Sequence, residues 1–76
     1  MKVETVLIEK ENYCVVGKVN IEDNLYYCLI SEKDNKNFII RKLIEENNKK
    51  LLLGLSDENE YNLVVSEYRQ QMINNI

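Results

Sequence analysis

The hydrophobic positions of this chain come in short runs through most of its length and change their period only near the end. Five runs rich in Val, Ile, Leu and Tyr are separated by polar breaks, and this pattern predicts five short strands. Their expected bounds are residues 2–9, 13–21, 25–32, 37–45 and 50–55. Because the breaks between them are short, we expect an antiparallel meander.

The strongest hairpin signal lies in residues 25–45, where two apolar runs flank a polar loop at residues 33–36. This hairpin is expected to form the centre of the sheet. The preceding strand alternates between polar and apolar positions, but Gly17 stands on its apolar side. A glycine at such a position predicts a β-bulge or the close approach of a bulky neighbour. Residues 23–24 are expected to form the turn before the central hairpin.

The period becomes helical after the fifth strand, and we predict a helix over residues 57–73. Ser56 or Asp57 can cap its start, and Glu60 follows Asp57 at the spacing of a capping box. The expected inward stripe consists of Tyr61, Val64, Val65, Tyr68 and Met72. The predicted fold class is α+β, an antiparallel β-meander of about five strands followed by one C-terminal α-helix packed on one face of the sheet. The whole chain, residues 1–76, is expected to form a single domain.

The alternation also assigns side chains to the two faces of the sheet, although a slip of one residue would exchange the faces of a strand. One predicted face carries Val15, Val19, Ile21, Tyr26, Cys28, Ile30, Ile39, Arg41 and Leu43. The other carries Cys14, Val16, Lys18, Asn20, Tyr27, Leu29, Phe38, Ile40, Lys42 and Ile44. The middle strands are therefore apolar on both sides, whereas one helix about 25 Å long can cover a single face. Three interpretations remain open: a sheet that curls over its second face, a self-association surface, or a docking surface for another protein.

Six residues are candidates for contact with a partner: Tyr27, Leu29, Phe38, Ile40, Arg41 and Leu53. Arg41 and Lys42 are adjacent and must point to opposite faces, since side chains alternate along a strand. The predicted register places Arg41 opposite Gly54 on the core side, within reach of a helix carboxylate such as Glu60. An arginine that does not form such an ion pair within its own chain often anchors a protein interface.

Composition and charge limit the function. The chain has 76 residues, with 10 Lys and Arg against 13 Asp and Glu, and its net charge of −3 argues against bulk electrostatic binding to nucleic acid or to an anionic membrane. No segment approaches the roughly 20 apolar residues of a membrane span, and the first residues do not form a signal peptide. We therefore expect a cytoplasmic protein.

The chain offers little chemistry. It has no histidine and only two cysteines, Cys14 and Cys28, which lie within predicted strands and lack the spacing of a zinc site. Its two glycines do not form a phosphate-binding loop. The acidic residues near 45–46 and 57–60 are explained by solvation and helix capping. We expect no enzyme activity, no metal and no cofactor.

Short motifs nevertheless resemble a known group of proteins. Tyr27-x-Leu29 is followed by residues 38–42 (FIIRK), a polar turn, a leucine-rich strand and residues 55–61 (LSDENEY) at the helix start. This order resembles the YrzB-like family of small uncharacterised proteins from low-GC Gram-positive bacteria, over roughly residues 13–72. The resemblance implies a bacterial cytosolic protein and implies no activity.

From these observations we expect a small non-enzymatic protein-interaction module that binds through the uncovered sheet face or an edge strand. Its partner is either another protein or a second copy of the chain, which would make a homodimer. A first alternative is a small regulator or inhibitor, of phage or mobile-element origin, that docks on an enzyme. A second is a weak RNA or single-stranded DNA binder, because Tyr26, Tyr27 and Phe38 could stack on bases, although the charge opposes it.

Overall fold

A computed structural model describes residues 4–74 and shows one five-stranded sheet followed by one helix. The elements are β1 (Thr5–Ile8), β2 (Glu11–Ile21), β3 (Asn24–Ser31), β4 (Phe38–Glu46), β5 (Lys49–Gly54) and α1 (Glu58–Asn74). The strands lie in chain order and each pairs antiparallel with the next. The predicted fold class is confirmed. Residues 2–3 of the expected first strand lie outside the described residues.

Three of the four connections between strands are turns of two residues. Glu9-Lys10, Glu22-Asp23 and Asn47-Asn48 occupy them, and each of these six residues has a positive φ between 49° and 67°. Two consecutive positive φ values are the mark of a type I′ turn, whose twist matches that of the flanking strands. The second of these turns begins one residue earlier than the expected turn at residues 23–24.

The remaining connection, between β3 and β4, is held by local side-chain hydrogen bonds. The Ser31 hydroxyl oxygen accepts from the backbone N–H groups of Lys33 and Asp34 at 3.2 and 3.3 Å. The Ser31 N–H donates to the Asn37 carbonyl at 3.1 Å, and the ladder then pairs Ile30 with Phe38. A loop at residues 33–36 would place residue 32 opposite residue 37, whereas here Ser31 faces Asn37. β4 is therefore shifted by one residue, and its two faces are exchanged relative to the expectation.

Gly17 lies at a β-bulge. The pairing of β2 with β3 shifts between Val15 and Gly17, so that Val16 has no partner in the ladder. A Cβ atom built on Gly17 would lie 2.5 Å from Cε1 of the Tyr68 ring in α1. The sequence predicted a bulge or a close bulky neighbour as alternatives, and the structure shows both. The bulge also moves Val15 to the face opposite the one expected for it, since it changes the alternation of β2 at this point.

The helix begins as expected, but its first carboxylates do not form a capping box. Asp57 Oδ1 accepts from the Asn59 N–H at 2.9 Å, and the Asp57 carbonyl accepts the Tyr61 N–H at 3.0 Å. Asp57 is therefore the N-cap. Glu60 points to the sheet and accepts the Tyr26 hydroxyl instead. The predicted return bond from Glu60 to the cap is wrong, because a partner in the sheet takes this carboxylate.

The main core lies between the helix and one face of the sheet. Its buried residues are Val19, Tyr26, Cys28, Ile40 and Val64, with Ile21, Phe38, Leu55, Val65 and Tyr68 packed against them. The predicted inward stripe of the helix is correct in its centre but not at its ends. Tyr61 and Met72 are 37% and 55% exposed, whereas Glu60 and Gln71 are half-buried.

The opposite face of the sheet is buried at its centre without a helix. Leu29 is completely buried and Tyr13 is 7% exposed, because the sheet curls over this side. Curling of a small twisted sheet was one of the three interpretations of its two apolar faces. It accounts for the burial of the apolar side chains at the middle of the second face. No helical segment between residues 4 and 74 has the length and apolar character required to span a bilayer.

Candidate interaction surface

The six predicted contact residues do not share a face. Cross-strand partners lie on the same side of a sheet, and Phe38, Ile40 and Leu53 belong to the side that carries the helix. Tyr27, Leu29 and Arg41 belong to the curled side. The expectation that Tyr27 and Leu29 share a face with Phe38 and Ile40 is wrong, because β4 is shifted by one residue relative to β3.

Two of the six residues are not accessible. Leu29 is 0% exposed beneath the curled sheet, and Ile40 is 2% exposed beneath the helix. Both contribute to packing and would have to be uncovered before they could contact a partner. Of the other four, Leu53 is the most open, with 45% of its surface exposed.

The adjacent charges of β4 take the opposite roles from those predicted. Arg41 does lie opposite Gly54, as expected. Its guanidinium passes over that glycine, with Nη1 3.7 Å from the position of a Cβ, and it donates to the Ile40 carbonyl at 3.2 Å. The residue that pairs with the helix carboxylate is Lys42, whose Nζ lies 3.6 Å from Oε2 of Glu60. The predicted pairing of Arg41 with Glu60 is therefore wrong, again because of the one-residue shift.

Glu60 joins the start of the helix to the centre of the sheet. It accepts the Tyr26 hydroxyl at 2.5 Å, and this hydrogen bond, together with burial, raises the pKa of Tyr26 to about 12. The Tyr26 phenol is consequently neutral at pH 7 and acts as a donor. The carboxylate is occupied by Tyr26 and Lys42, so its role in this arrangement is to hold α1 on the sheet.

A second carboxylate closes the end of the sheet formed by β2 and β3. Glu11 accepts the Ser31 hydroxyl at 2.8 Å and the Tyr13 hydroxyl at 2.9 Å. These two hydrogen bonds lower the pKa of Glu11, the one from Ser31 more than the one from Tyr13. Because Ser31 also accepts from the loop N–H groups, the cluster links the loop to the strand ends and explains these polar residues structurally.

The aromatic ring predicted to be free for stacking already has a cation over it. Lys18 Nζ lies 5.1 Å from the centroid of the Tyr27 ring and 3.0 Å from a carboxylate oxygen of Glu4. This arrangement is a cation–π contact within the chain. A nucleic-acid base would have to displace Lys18 in order to stack on that side of Tyr27.

The more deeply buried of the two thiols is held in its protonated form. Both cysteines are free, and Cys28 is completely buried between the sheet and the helix. Burial raises the pKa of Cys28 to about 11, which keeps the thiol protonated and weakly nucleophilic. Among residues 4–74 no group of three or more His, Cys, Asp or Glu side chains could hold a metal ion.

A groove runs along the side of α1 that does not face the sheet directly. It has a volume of about 480 Å³ and is lined by Phe38, Tyr61, Asn62, Val65, Tyr68, Arg69 and Met72. We call it the helix groove. The rings of Phe38 and Tyr68 form its floor, with centroids 5.8 Å apart and planes tilted by 32°. Its lining is therefore mostly apolar, with one arginine and one asparagine to donate hydrogen bonds.

Sequence reasoning missed this groove because it placed Tyr61 and Met72 in the core. The available signal was the width of the apolar stripe on the helix. Tyr61, Val65 and Met72 form one row, and Val64 and Tyr68 form another beside it. The second row is the one that packs on the sheet, which leaves the first row half-open.

The last strand adds further exposed apolar surface next to the helix. Leu51 and Leu53 are 43% and 45% exposed on the helix side of β5. β5 also forms one edge of the sheet. The helix groove and β5 together are the candidate interaction surface of the described chain.

Comparison with known proteins gives no relative: no family model matches the chain, and no curated protein or solved structure is significantly similar to it. The resemblance to the YrzB-like family therefore stays a prediction. The function has to be inferred from the molecule itself.

Proposed function

We propose that this chain is a non-enzymatic protein-interaction module that binds another protein through the helix groove and β5. The observation that carries the proposal is the distribution of exposed apolar side chains. Of the large hydrophobic residues found exposed in the described chain, Leu51 and Leu53 belong to β5, and Tyr61 and Met72 line the helix groove. Exposed apolar side chains beside a groove are characteristic of interaction sites.

The composition of the helix groove supports a protein partner. Tyrosine and arginine are the residues that most often dominate binding energy at protein interfaces, and the groove contains Tyr61, Tyr68 and Arg69. An apolar floor with a polar rim can take a hydrophobic side chain of a partner while Arg69 and Asn62 provide hydrogen bonds. The sequence predicted binding through the uncovered sheet face or an edge strand. The site proposed here differs from that prediction in using the helix side of the sheet, and it agrees with it in using the edge strand.

The absence of histidine from the sequence supports a role without catalysis, and so do the hydrogen bonds of two carboxylates and the burial of one thiol. The carboxylates of Glu11 and Glu60 are engaged by hydroxyl donors, and the Cys28 thiol is kept protonated by burial. The proposal places the protein in the cytoplasm, where two free cysteines remain reduced. Docking on an enzyme as a regulator is a narrower form of the same proposal and would use the same surface.

Site-specific photo-crosslinking in bacterial cells tests this proposal. A photoreactive phenylalanine analogue at Tyr61 places the probe in the helix groove, and the same analogue at Gln70 places it on the opposite side of the helix. We expect discrete adducts from position 61 only, and we expect the exposed substitution Met72→Glu to suppress them. Circular dichroism should show that the variant is folded.

Equal adduct patterns from the two positions would show that the helix groove has no special affinity for proteins. Adducts from position 61 that survive Met72→Glu would lead to the same conclusion. Either result would overturn the proposal, whereas the mass of a specific adduct identifies the partner, including a second copy of the chain.

A further inference from the structure

The outer edge of β5 has no partner within residues 4–74, and it lacks most of the usual protection of an edge strand. Edge strands in monomeric proteins are commonly short or carry charges that prevent pairing. The other edge strand, β1, follows this rule, since it has four residues and is flanked by Glu4, Glu9 and Lys10. β5 has six residues, three of them consecutive leucines, and its charges stand only at its first end.

The segment formed by β5 and the residues after it is basic at its start and acidic at its end, so two copies of it have complementary charges when they run antiparallel. The segment begins with Lys49 and Lys50, continues through Leu51–Leu55 and ends with Asp57 and Glu58 at the helix start. A two-fold contact uses the same patch on both copies, so the patch must match itself after rotation. Antiparallel pairing of two such segments brings the basic end of one to the acidic end of the other.

We propose that β5 pairs antiparallel with β5 of a second copy of this chain and joins the two five-stranded sheets into one. The pairing that best matches the leucines places the two-fold axis at Leu53, which then faces Leu53 of the second copy. Leu51 then faces Leu55 of the second copy, and Lys49 faces Asp57 of the second copy. The contact therefore extends beyond the end of β5 into residues 55–57, which join the strand to α1. The inference rests on the proposed function, because it names one partner for part of the same surface.

This arrangement brings the exposed Leu51 and Leu53 into contact with apolar side chains of the second copy. Leu51, Leu53 and Leu55 point to the helix side of the sheet, because Leu53 is paired with Lys42, which contacts Glu60 of the helix. The two copies together form a continuous row of six leucines on that side. Cross-strand apolar pairs are the unit of sheet stabilisation, so this row supplies the favourable energy.

The lysines of β5 also have acidic neighbours in their own chain. Glu46 stands opposite Lys49 and Glu45 stands opposite Lys50 in the pairing with β4. These carboxylates lie one strand, or about 4.8 Å, farther from the second copy than the lysines do. The second copy's acidic helix start therefore lies closer to the lysines than to these carboxylates.

Sedimentation equilibrium of the full chain measures the proposed association. Between about 1 μM and about 1 mM, the range in which modest interfaces dissociate, we expect the mass to change from that of one chain to that of two. Leu53→Lys places like charges opposite each other at the axis and should raise the dissociation constant at least tenfold. Leu7→Lys, on the other edge strand at a residue 69% exposed, is the matched control and should leave it unchanged.

A charge exchange tests the direction of pairing. Lys49→Glu should weaken the dimer at least tenfold. Adding Glu58→Lys to it should restore part of the affinity, because Glu58 adjoins Asp57, the residue that faces Lys49, whereas Asp57 itself is kept because it caps the helix. Lys49, Leu53 and Glu58 are all exposed, and circular dichroism of each variant confirms folding. If Leu53→Lys does not fold, the Lys49 and Glu58 variants decide the question.

A wild-type chain that remains a single chain over the whole concentration range would overturn the inference. A dimer that is insensitive to both Leu53→Lys and Lys49→Glu would also overturn it, because another surface would then be the interface. The proposed function fails separately: if the chain is monomeric but still gives adducts specific to Tyr61, only the pairing of β5 is wrong.

Discussion

Replacement of Gly17 by alanine should destabilise the protein, because the added Cβ would collide with the side chain of Tyr68. The added Cβ would lie 2.5 Å from Cε1 and 2.8 Å from Cδ1 of Tyr68, distances that ordinary packing does not permit. The ring cannot withdraw freely, because it is packed against Phe38 with centroids 5.8 Å apart. The collision must therefore be relieved by movement of the helix or of the bulge.

The expected magnitude is the difference between two effects. Overpacking of a filled site costs about 1–3 kcal/mol. No glycine of the described chain has a positive φ, so alanine is not strained at this position and stabilises by about 0.4–1 kcal/mol through the unfolded state. We expect a net loss of about 1–2 kcal/mol in the free energy of unfolding. In a domain of this size, each 1 kcal/mol lowers Tm by about 4–8 °C.

A double-mutant cycle with Tyr68→Leu isolates the contact. Leucine keeps an apolar side chain against Phe38 but removes the ring atoms that meet the new Cβ, so Gly17→Ala should become neutral or slightly stabilising in that background. The coupling energy should be about 1–2 kcal/mol. Gly54→Ala is the matched control, since its Cβ would meet Arg41 at an ordinary 3.7 Å. Urea denaturation followed by circular dichroism gives all the required values.

Equal effects of Gly17→Ala and Gly54→Ala would refute this reasoning. So would a loss of stability that remains unchanged when Tyr68 is replaced, because the destabilisation would then arise in the backbone of the bulge and not at the ring.

Four further predictions follow from single contacts. Asp57→Ala removes the helix N-cap and should cost about 1 kcal/mol in urea denaturation, whereas Ser56→Ala should have little effect because Ser56 does not cap the helix. Asp23→Gly relieves a positive φ of 67°, which costs an L-residue about 1–2 kcal/mol, but it loses about 0.4–1 kcal/mol through the more flexible unfolded chain. It should therefore raise the unfolding free energy by about 0.5–1 kcal/mol, measured in the same way. The pKa of Tyr26 is raised to about 12 by its bond to the helix carboxylate, so its contribution is complete below its ordinary pKa of 10.0 and is lost between there and about 12. Tyr26→Phe should therefore flatten the alkaline fall in stability measured in a pH series of denaturation curves. The pKa of Glu11 is lowered, so its contribution is present above its ordinary value of 4.5 and is lost as the pH falls through the lower, folded value. Glu11→Gln should flatten the acid limb of the same series, and an unchanged limb would contradict the bonds assigned to this carboxylate.

The number, order and approximate bounds of the elements followed from the sequence because they depend on local periodicity. Alternation with a period of two in β2 and a helical repeat after Ser56 require no knowledge of distant residues. The same holds for Gly17, whose place on an apolar strand face predicted a bulge or a bulky neighbour, both of which are present. The identity of that neighbour, Tyr68, was not predictable, because it lies 51 positions away along the chain.

The face of each side chain was decided by the tertiary structure. Alternation states that Arg41 and Lys42 point to opposite sides, but the length of the preceding loop determines which one meets the helix. The hydrogen bonds of Ser31 hold that loop at its observed length. With this length it is Lys42, and not Arg41, that lies near Glu60. An error of one residue in a loop thus reassigned half of the predicted contact residues.

Local sequence also failed where two partners competed for one group. Glu60 has the spacing of a capping box, yet its carboxylate bonds to Tyr26 and Lys42 on the sheet. In a half-buried site a hydrogen bond to a charged group is stronger than at an exposed helix end, and only the assembled fold brings these partners together. The curl that buries Leu29 is likewise a property of the whole sheet. Because of it, the candidate surface lies at the helix groove and β5 and not at the centre of the second sheet face, where the sequence predicted it.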